Sequence, residues 1–267
     1  MKKTLLFSAL ALLLAGLNSC GSDGKDSISD NGLSQEVKEQ IAALGFSSEG
    51  AFETDGGYIV EGDIFLTEED LHGHGPGETH NLVVGNAEQY RTTNLVTGLP
   101  RVITVTTSGS NITSGLSSAI DAAIARYNAE NLGLTFARGG SSGGGDINIR
   151  VVNTGQYIAS AGFPSGGNPH DEILYAKKYN NYSAGFMTTV IAHEMGHCIG
   201  FRHTDYMNRA YSCGSGGNEG ASTVGAVHIP GTPTGPDAGS WMLACLGATT
   251  NRPFNANDVI ALNFLYD

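Results

Sequence analysis

The residues best suited to chemistry lie at 188–205, which reads TTVIAHEMGHCIGFRHTD. His193 and His197 are four residues apart, so on a helix their imidazoles lie on one face, one turn apart. Two imidazoles at this separation can bind one Zn²⁺ without disturbing the backbone between them. Glu194 directly follows the first histidine, so it is expected beside the metal, where a general base for a water molecule is needed.

A third histidine completes the predicted zinc site. Gly200 has no Cβ atom and can end the helix through a positive φ, which turns the chain back. His203 then reaches the metal from outside the helix. Three neutral histidines leave at least one coordination position of zinc open, which is typical of a catalytic site. The alternative, an amphipathic helix with uninvolved histidines, explains neither Gly200 nor His203.

The chain has 267 residues and a formal net charge of −12. This acidity argues against a nucleic-acid partner, because binding to phosphates depends on Lys and Arg. The 38 glycines predict long, turn-rich loops between few regular elements.

The first 19 residues are predicted to be a bacterial lipoprotein signal. Lys2 and Lys3 precede an apolar run at 5–17 that is too short for a comfortable membrane span. The letters LNSC at 17–20 resemble a lipobox, which implies cleavage before Cys20 and acylation of that cysteine. The protein is then expected to be exported and anchored in the cell envelope through this lipid. An ordinary secretory signal with an incidental cysteine is the alternative.

Residues 20–98 are predicted to form a tether and an N-terminal pro-segment, and residues 99–267 the catalytic domain. The first part is expected to contain a helix at 35–44, a broken strand at 57–66, a Gly- and His-rich loop at 72–80 and a connector with few core positions at 89–100. The second part is expected to contain strands at 101–107, 134–137, 147–152 and 172–176, a long helix at 112–131, the zinc helix and a closing helix at 253–265.

The motif H-E-x-x-H-x-x-G-x-x-H from His193 to His203 is similar to the metzincin signature of zinc peptidases. The letters HEMGH resemble in particular the motif of the bacterial "dual-action HEIGH" peptidases, as do HTDY at 203–206 and GSWM at 239–242. The resemblance implies an α+β, metzincin-like (zincin) fold: a twisted mixed sheet, two long helices and a loop-rich C-terminal subdomain with a Met-turn. It also implies that the strand at 172–176 lines the cleft and binds substrate as an added strand, with a plain sheet edge as the alternative.

The resemblance assigns roles to further residues. Met242 is expected to form the Met-turn, an apolar floor beneath the ligands, and Met187 and Met207 are its rivals. Astacin-like relatives have a tyrosine two residues beyond this methionine that can reach the zinc. This chain has Ala244 there, so that donor is absent or comes from elsewhere.

Astacin-type zymogens carry an F-x-G-D motif whose aspartate takes the open zinc position. The letters VEGD at 60–63 make Asp63 a candidate for this switch, with an ordinary turn aspartate as the alternative. Asp205 is expected to cap or orient the loop that carries the third ligand, or to be a solvated loop carboxylate.

Three cysteines remain after Cys20 is set aside. A bridge between Cys213 and Cys245 would tie the loop after the third histidine to the turn under the metal, and a Cys198–Cys213 bridge is the rival. Without a bridge, Cys198 is expected to be a buried, inert thiol.

Together these patterns predict an exported zinc endopeptidase that acts on protein or peptide substrates with Glu194 as general base. Two alternatives remain open: a surface binding or adhesion protein on a catalytically silent metzincin scaffold, and a zinc hydrolase with a non-protein substrate. The intact Glu194 argues against the silent scaffold, because binding alone does not use a base there.

Overall fold

The computed structural model of the protein describes residues 32–72, 89–221, 224–233 and 235–267. The predicted signal peptide, Cys20, the tether and all but the first residue of the loop at 72–80 lie outside these ranges. In the described ranges, no helix has both the length and the apolar character needed to cross a bilayer.

The strands fall into one large sheet and one small ribbon. In chain order they are β1 (Phe52–Thr54), β2 (Gly57–Val60), β3 (Ile64–Thr67), β4 (Tyr90–Arg91), β5 (Arg101–Gly109), β6 (Leu134–Arg138), β7 (Ile147–Val152), β8 (Ala159–Ala161), β9 (Glu172–Ala176) and β10 (Val227–His228). The large sheet has the order β1-β2-β3-β8-β9-β7-β5-β6, and β4 pairs with β10. Strands β6, β5, β7 and β9 are mutually parallel, whereas β8 runs antiparallel to β9.

Capping side chains mark the starts of the longer helices. The helices are α1 (Gln35–Ala43), α2 (Glu68–His72), α3 (Ser114–Asn128), α4 (Ala184–Cys198), α5 (Ala210–Cys213) and α6 (Ala256–Tyr266). The side chains of Thr113 and Ser183 accept amide hydrogen bonds at the starts of α3 and α4, and Asn255 and Asp258 form a capping box at α6. The two long helices α3 and α4 pack against each other, with the apolar face of α3 fully buried in the main core.

One predicted role of a strand is wrong. The strand at 172–176 exists as β9, but it is hydrogen-bonded to β7 on one side and to β8 on the other. It is therefore neither a sheet edge nor the strand that lines the cleft. Ala159 of β8 lines the cavity beside α4 instead. The sequence Ala-Ser-Ala of β8 is only three residues long, which is too short to show the periodicity of a strand.

The prediction of few core positions at 89–100 is also wrong. Gln89, Tyr90, Thr92 and Val96 are all buried. This segment pairs through β4 with β10, more than 130 residues further along the chain, so no local periodicity marks it.

Residues 32–72, which we call the leader, have their own apolar cluster and join the main sheet at one point. Ile64 of β3 pairs in parallel with Ala161 of β8, and the amide of Ala161 donates to the carbonyl of Asp63. This pairing places the turn at 61–63 next to α4.

Candidate active site

Helix α4 brings His193 and His197 together. Their Nδ1 atoms donate to the backbone carbonyls of Trp241 and Phe201, each across 2.8 Å. Because a carbonyl can only accept, each Nδ1 carries the proton and each Nε2 presents a lone pair. The two Nε2 atoms lie 3.0 Å apart. Burial lowers the pKa of His197 well below its ordinary value, which keeps this imidazole neutral, as metal binding requires.

The chain reverses at Gly200 and returns His203 to the same point. The φ of Gly200 is +106°, and a Cβ atom there would lie 2.7 Å from Cδ2 of Leu95, so both conformation and space require glycine. The Nε2 atom of His203 then lies 3.2 Å from that of His197.

The three histidines fit a zinc ion. Tetrahedral ligands at 2.0–2.1 Å from zinc are roughly 3.3–3.4 Å apart, close to the Nε2 separations of 3.0 and 3.2 Å. Nδ1 of His203 also faces an acceptor, Oε1 of Glu219 at 2.7 Å. In the neutral tautomer with the proton on Nδ1, all three Nε2 lone pairs point at one another, as ligands of one cation require.

Asp63 of the leader lies beside the three histidines, where a fourth tetrahedral ligand of a metal ion would be. Its Oδ2 atom lies 3.2 Å from Nε2 of His203 and 3.5 Å from Nε2 of His193. These ligand atoms and that of His197 all lie within 4.8 Å of one another. Burial would raise the pKa of Asp63, but His203 and His193 hold it well below its ordinary value, so the carboxylate is charged.

Glu194 lies beside this group at the wall of a cavity of about 270 Å³. The carboxylate is buried, and its Oε2 atom accepts no hydrogen bond from any part of the chain that the structure describes. Burial raises the pKa of Glu194 well above its ordinary value, and the nearby charge of Asp63 raises it further. The cavity is also lined by residues of the leader, of the segment before β8, of α4 and of the loops after it, among them Asp63, Tyr157, Val190, Arg209, Leu243 and Arg252.

Met242 lies directly against α4. A Cβ atom on Gly196 would be 2.6 Å from Sδ of Met242, so the glycine of HEMGH makes room for the sulfur. The amide of Thr204, next to the third histidine, donates to the carbonyl of Met242 across 2.9 Å. Met187 packs in the main core and Met207 packs beside Tyr90 and Tyr206, away from this position.

Asp205 connects the loop that carries His203 to the segment after Met242. The residue is fully buried, so it is not a solvated carboxylate. Its Oδ2 atom accepts from Oγ of Ser212 at 2.6 Å, and its Oδ1 atom accepts from the amide of Ala244 at 3.0 Å. The disulfide joins Cys213 to Cys245 across the same contact, while Cys198 is free and buried.

Comparison of the sequence with known protein families identifies the family of this chain. The sequence profile of the dual-action HEIGH metallopeptidases matches residues 58–266. The chain belongs to this family. The family assignment confirms the predicted metallopeptidase class and the metzincin-like fold. No match emerges among curated protein sequences.

Two solved structures resemble this HEIGH metallopeptidase at low sequence identity. One, titled "Structure of myroilysin", has 15% identity and a TM-score of 0.44 and covers 65% of this chain and 96% of its own. The other, "Crystal structure of myroilysin", has 16% identity and a TM-score of 0.40 and covers 62% and 83%.

Two members of the site in this HEIGH metallopeptidase, Glu219 and Arg209, have no recognisable sequence pattern. Glu219 lies in the glycine-rich stretch GGNEGA, and Arg209 lies in a loop, so neither belongs to a periodic pattern. Glu219 accepts from His203 and from Nη1 of Arg209, the latter at 3.0 Å. Although burial favours its neutral form, His203 and the arginines Arg202 and Arg209 lower the pKa of Glu219 to about 2.

Proposed function

We propose that this HEIGH metallopeptidase is an exported zinc endopeptidase, made latent by its leader. One observation carries the zinc proposal: three Nε2 atoms face each other while the Nδ1 of each ring faces a protein acceptor. His193, His197 and His203 would hold the ion. When bound, zinc supplies Lewis-acid chemistry that lowers the pKa of a water molecule and polarises the substrate carbonyl.

Glu194 is the proposed general base. It takes a proton from the water that attacks the peptide carbonyl and then delivers this proton to the leaving amine. Its buried position beside His193 and the cavity supports this role. A carboxylate with a raised pKa suits the task, because it must hold the proton during part of the reaction.

The peptide substrate is proposed to lie along β8. This strand uses one side to pair with β9, and its other side is bonded to the leader only at Ala161. Removing the leader would free the backbone of β8 for pairing with an extended peptide. The position of β8 next to the cavity supports this, since Ala159 lines it together with Glu194.

Asp63 is the proposed switch of latency, and a second leader residue supports it. Glu61 is buried; its Oε1 accepts from the amide of Ser47 at 3.0 Å, and its Oε2 lies 3.5 Å from Nη2 of Arg202. The leader thus has the carboxylate of Asp63 beside the three histidines and that of Glu61 beside the buried Arg202. Activity would then require that the leader be displaced or cut away.

Export and lipid anchoring through Cys20 complete the proposal and depend on the N-terminal sequence alone. Replacing Cys20 by Ala should release the protein from the membrane fraction of the producing cell. Unchanged membrane partitioning of this variant would contradict lipidation and favour an ordinary secretory signal.

The central experiment measures bound metal and casein cleavage on the same preparations, with a chelator control and readdition of zinc. Glu194→Gln should retain zinc and lose cleavage, because the amide cannot accept the proton. Zinc binding without cleavage by the unaltered protein, before and after leader removal, would favour the silent scaffold or a non-protein substrate. Retained cleavage by Glu194→Gln would contradict the role of this residue.

A further inference from the structure

Arg209 holds the leader where its main chain crosses the site. Its Nη1 atom donates to the backbone carbonyl of Glu61, and a Cβ atom on Gly62 would lie 3.4 Å from its Nη2 atom. Two residues further on, Asp63 reaches the histidines. The guanidinium therefore binds peptide backbone immediately beside the proposed zinc position.

The guanidinium has a partner that does not belong to the leader. Nη1 also pairs with Oε1 of the buried Glu219 at 3.0 Å. The backbone of Arg209 is held as well. Its amide donates to the carbonyl of Gly217, and the carbonyl of Arg209 accepts from the amide of Cys213, a residue of the disulfide. A donor held in this way loses little conformational entropy when it binds a carbonyl.

Arg209 lines the same cavity as His193 and Glu194. Departure of the leader would remove the Glu61 carbonyl and leave a charged donor facing the cleft. A peptide substrate in that cleft offers the same chemical group, a backbone carbonyl. Hydrogen bonds to charged groups are among the stronger ones in proteins.

We infer that Arg209 is a substrate-binding residue that donates to a backbone carbonyl of the peptide, at the place where it now holds the carbonyl of Glu61. This role depends on the proposed peptidase function. Because the contact is to the main chain, it would act on peptides regardless of their side chains.

The test separates substrate binding from effects on the metal. The protein is produced as the full chain and assayed in whichever form, intact or processed, cleaves casein. Arg209→Gln and Arg209→Lys are compared with Arg138→Gln, which removes a surface arginine paired with Asp121. Binding of fluorescein-labelled casein is measured separately on the same form in a Glu194→Gln background, and zinc content on every preparation.

Arg209→Gln should raise KM about tenfold and weaken casein binding about tenfold, while kcat changes less than about threefold and zinc content stays the same. Arg209→Lys should show a smaller loss, because it keeps a charge beside Glu219. Arg138→Gln should match the unaltered protein. Unchanged KM and unchanged casein binding in Arg209→Gln would overturn the inference. A decrease in kcat alone, or a loss of activity together with a loss of zinc, would also overturn it, because Arg209 would then act through Glu219.

Casein binding without cleavage by the unaltered protein would contradict the peptidase proposal. The comparison of casein binding between the variants would still decide the role of Arg209.

Discussion

The Nδ1 atom of His203 donates to Oε1 of Glu219 across 2.7 Å, and both side chains are buried. This contact fixes the orientation of the one proposed ligand that does not lie on α4. Glu219 in turn pairs with Arg209 and lies 3.5 Å from Arg202, so its charge is balanced inside the protein. The third ligand therefore depends on a loop residue sixteen positions away.

Replacing Glu219 by Gln should weaken zinc binding about tenfold or more, because carboxylates behind metal-binding histidines typically contribute 10–100-fold to affinity. Competition with a chromogenic chelator measures the change. Glu172→Gln is the control, since Glu172 forms an ion pair with Arg150 at 2.9 Å and is not among the side chains grouped around the histidines. Equal zinc affinity of both variants would show that the His203–Glu219 contact does not support the metal.

Asp63→Asn should give an intact chain that cleaves casein without leader removal. The amide carries no charge and is a poor ligand, so it should compete weakly for the fourth position. Gel analysis alongside the assay establishes that the leader is still attached. Asp55→Asn, in an exposed turn of the same leader, should remain as latent as the unaltered chain. Equal latency of the Asp63 variant would rule out the switch.

Gly200→Ala should reduce the free energy of unfolding by at least about 2 kcal/mol, because a positive φ is costly for alanine and Leu95 crowds the new methyl group. Gly50→Ala is the control for backbone conformation alone: φ there is +72° with nothing within 4 Å. Its cost should be about 1 kcal/mol. Urea denaturation compares the two, and equal losses would exclude the crowding contribution.

The raised pKa of Asp258 should make the free energy of unfolding depend on pH. Burial raises its pKa to about 7, although the backbone amides of Asn255 and Trp241 and the side chain of Ser240 oppose this shift. The folded state therefore holds the proton more tightly than the unfolded state does. The stabilisation is complete below the unfolded pKa near 4 and is lost as the pH rises through about 7.

The free energy of unfolding should accordingly fall by up to about 4 kcal/mol between pH 4 and pH 7 from this group. Asp258→Asn should flatten that part of the profile, whereas Asp121→Asn, at a surface ion pair, should leave it unchanged. Denaturant titrations at several pH values measure the slopes. An identical slope for the Asp258 variant and the unaltered protein would refute this assignment.

Local sequence was enough to predict the elements that local interactions form. The four-residue spacing of His193 and His197 and the reversal at Gly200 act within one or two turns, so each leaves a readable pattern. The family motif further predicted the peptidase class, which the match over 58–266 confirms.

Tertiary structure alone decided which distant residues complete the site. β8 is only three small residues long, β4 pairs with a strand over 130 residues away, and Glu219 and Arg209 lie in irregular loops. Their positions result from sheet pairing and burial across long chain separations. Such contacts depend on the whole packed molecule and impose no periodicity on the residues that make them, which is why they become visible only in the folded chain.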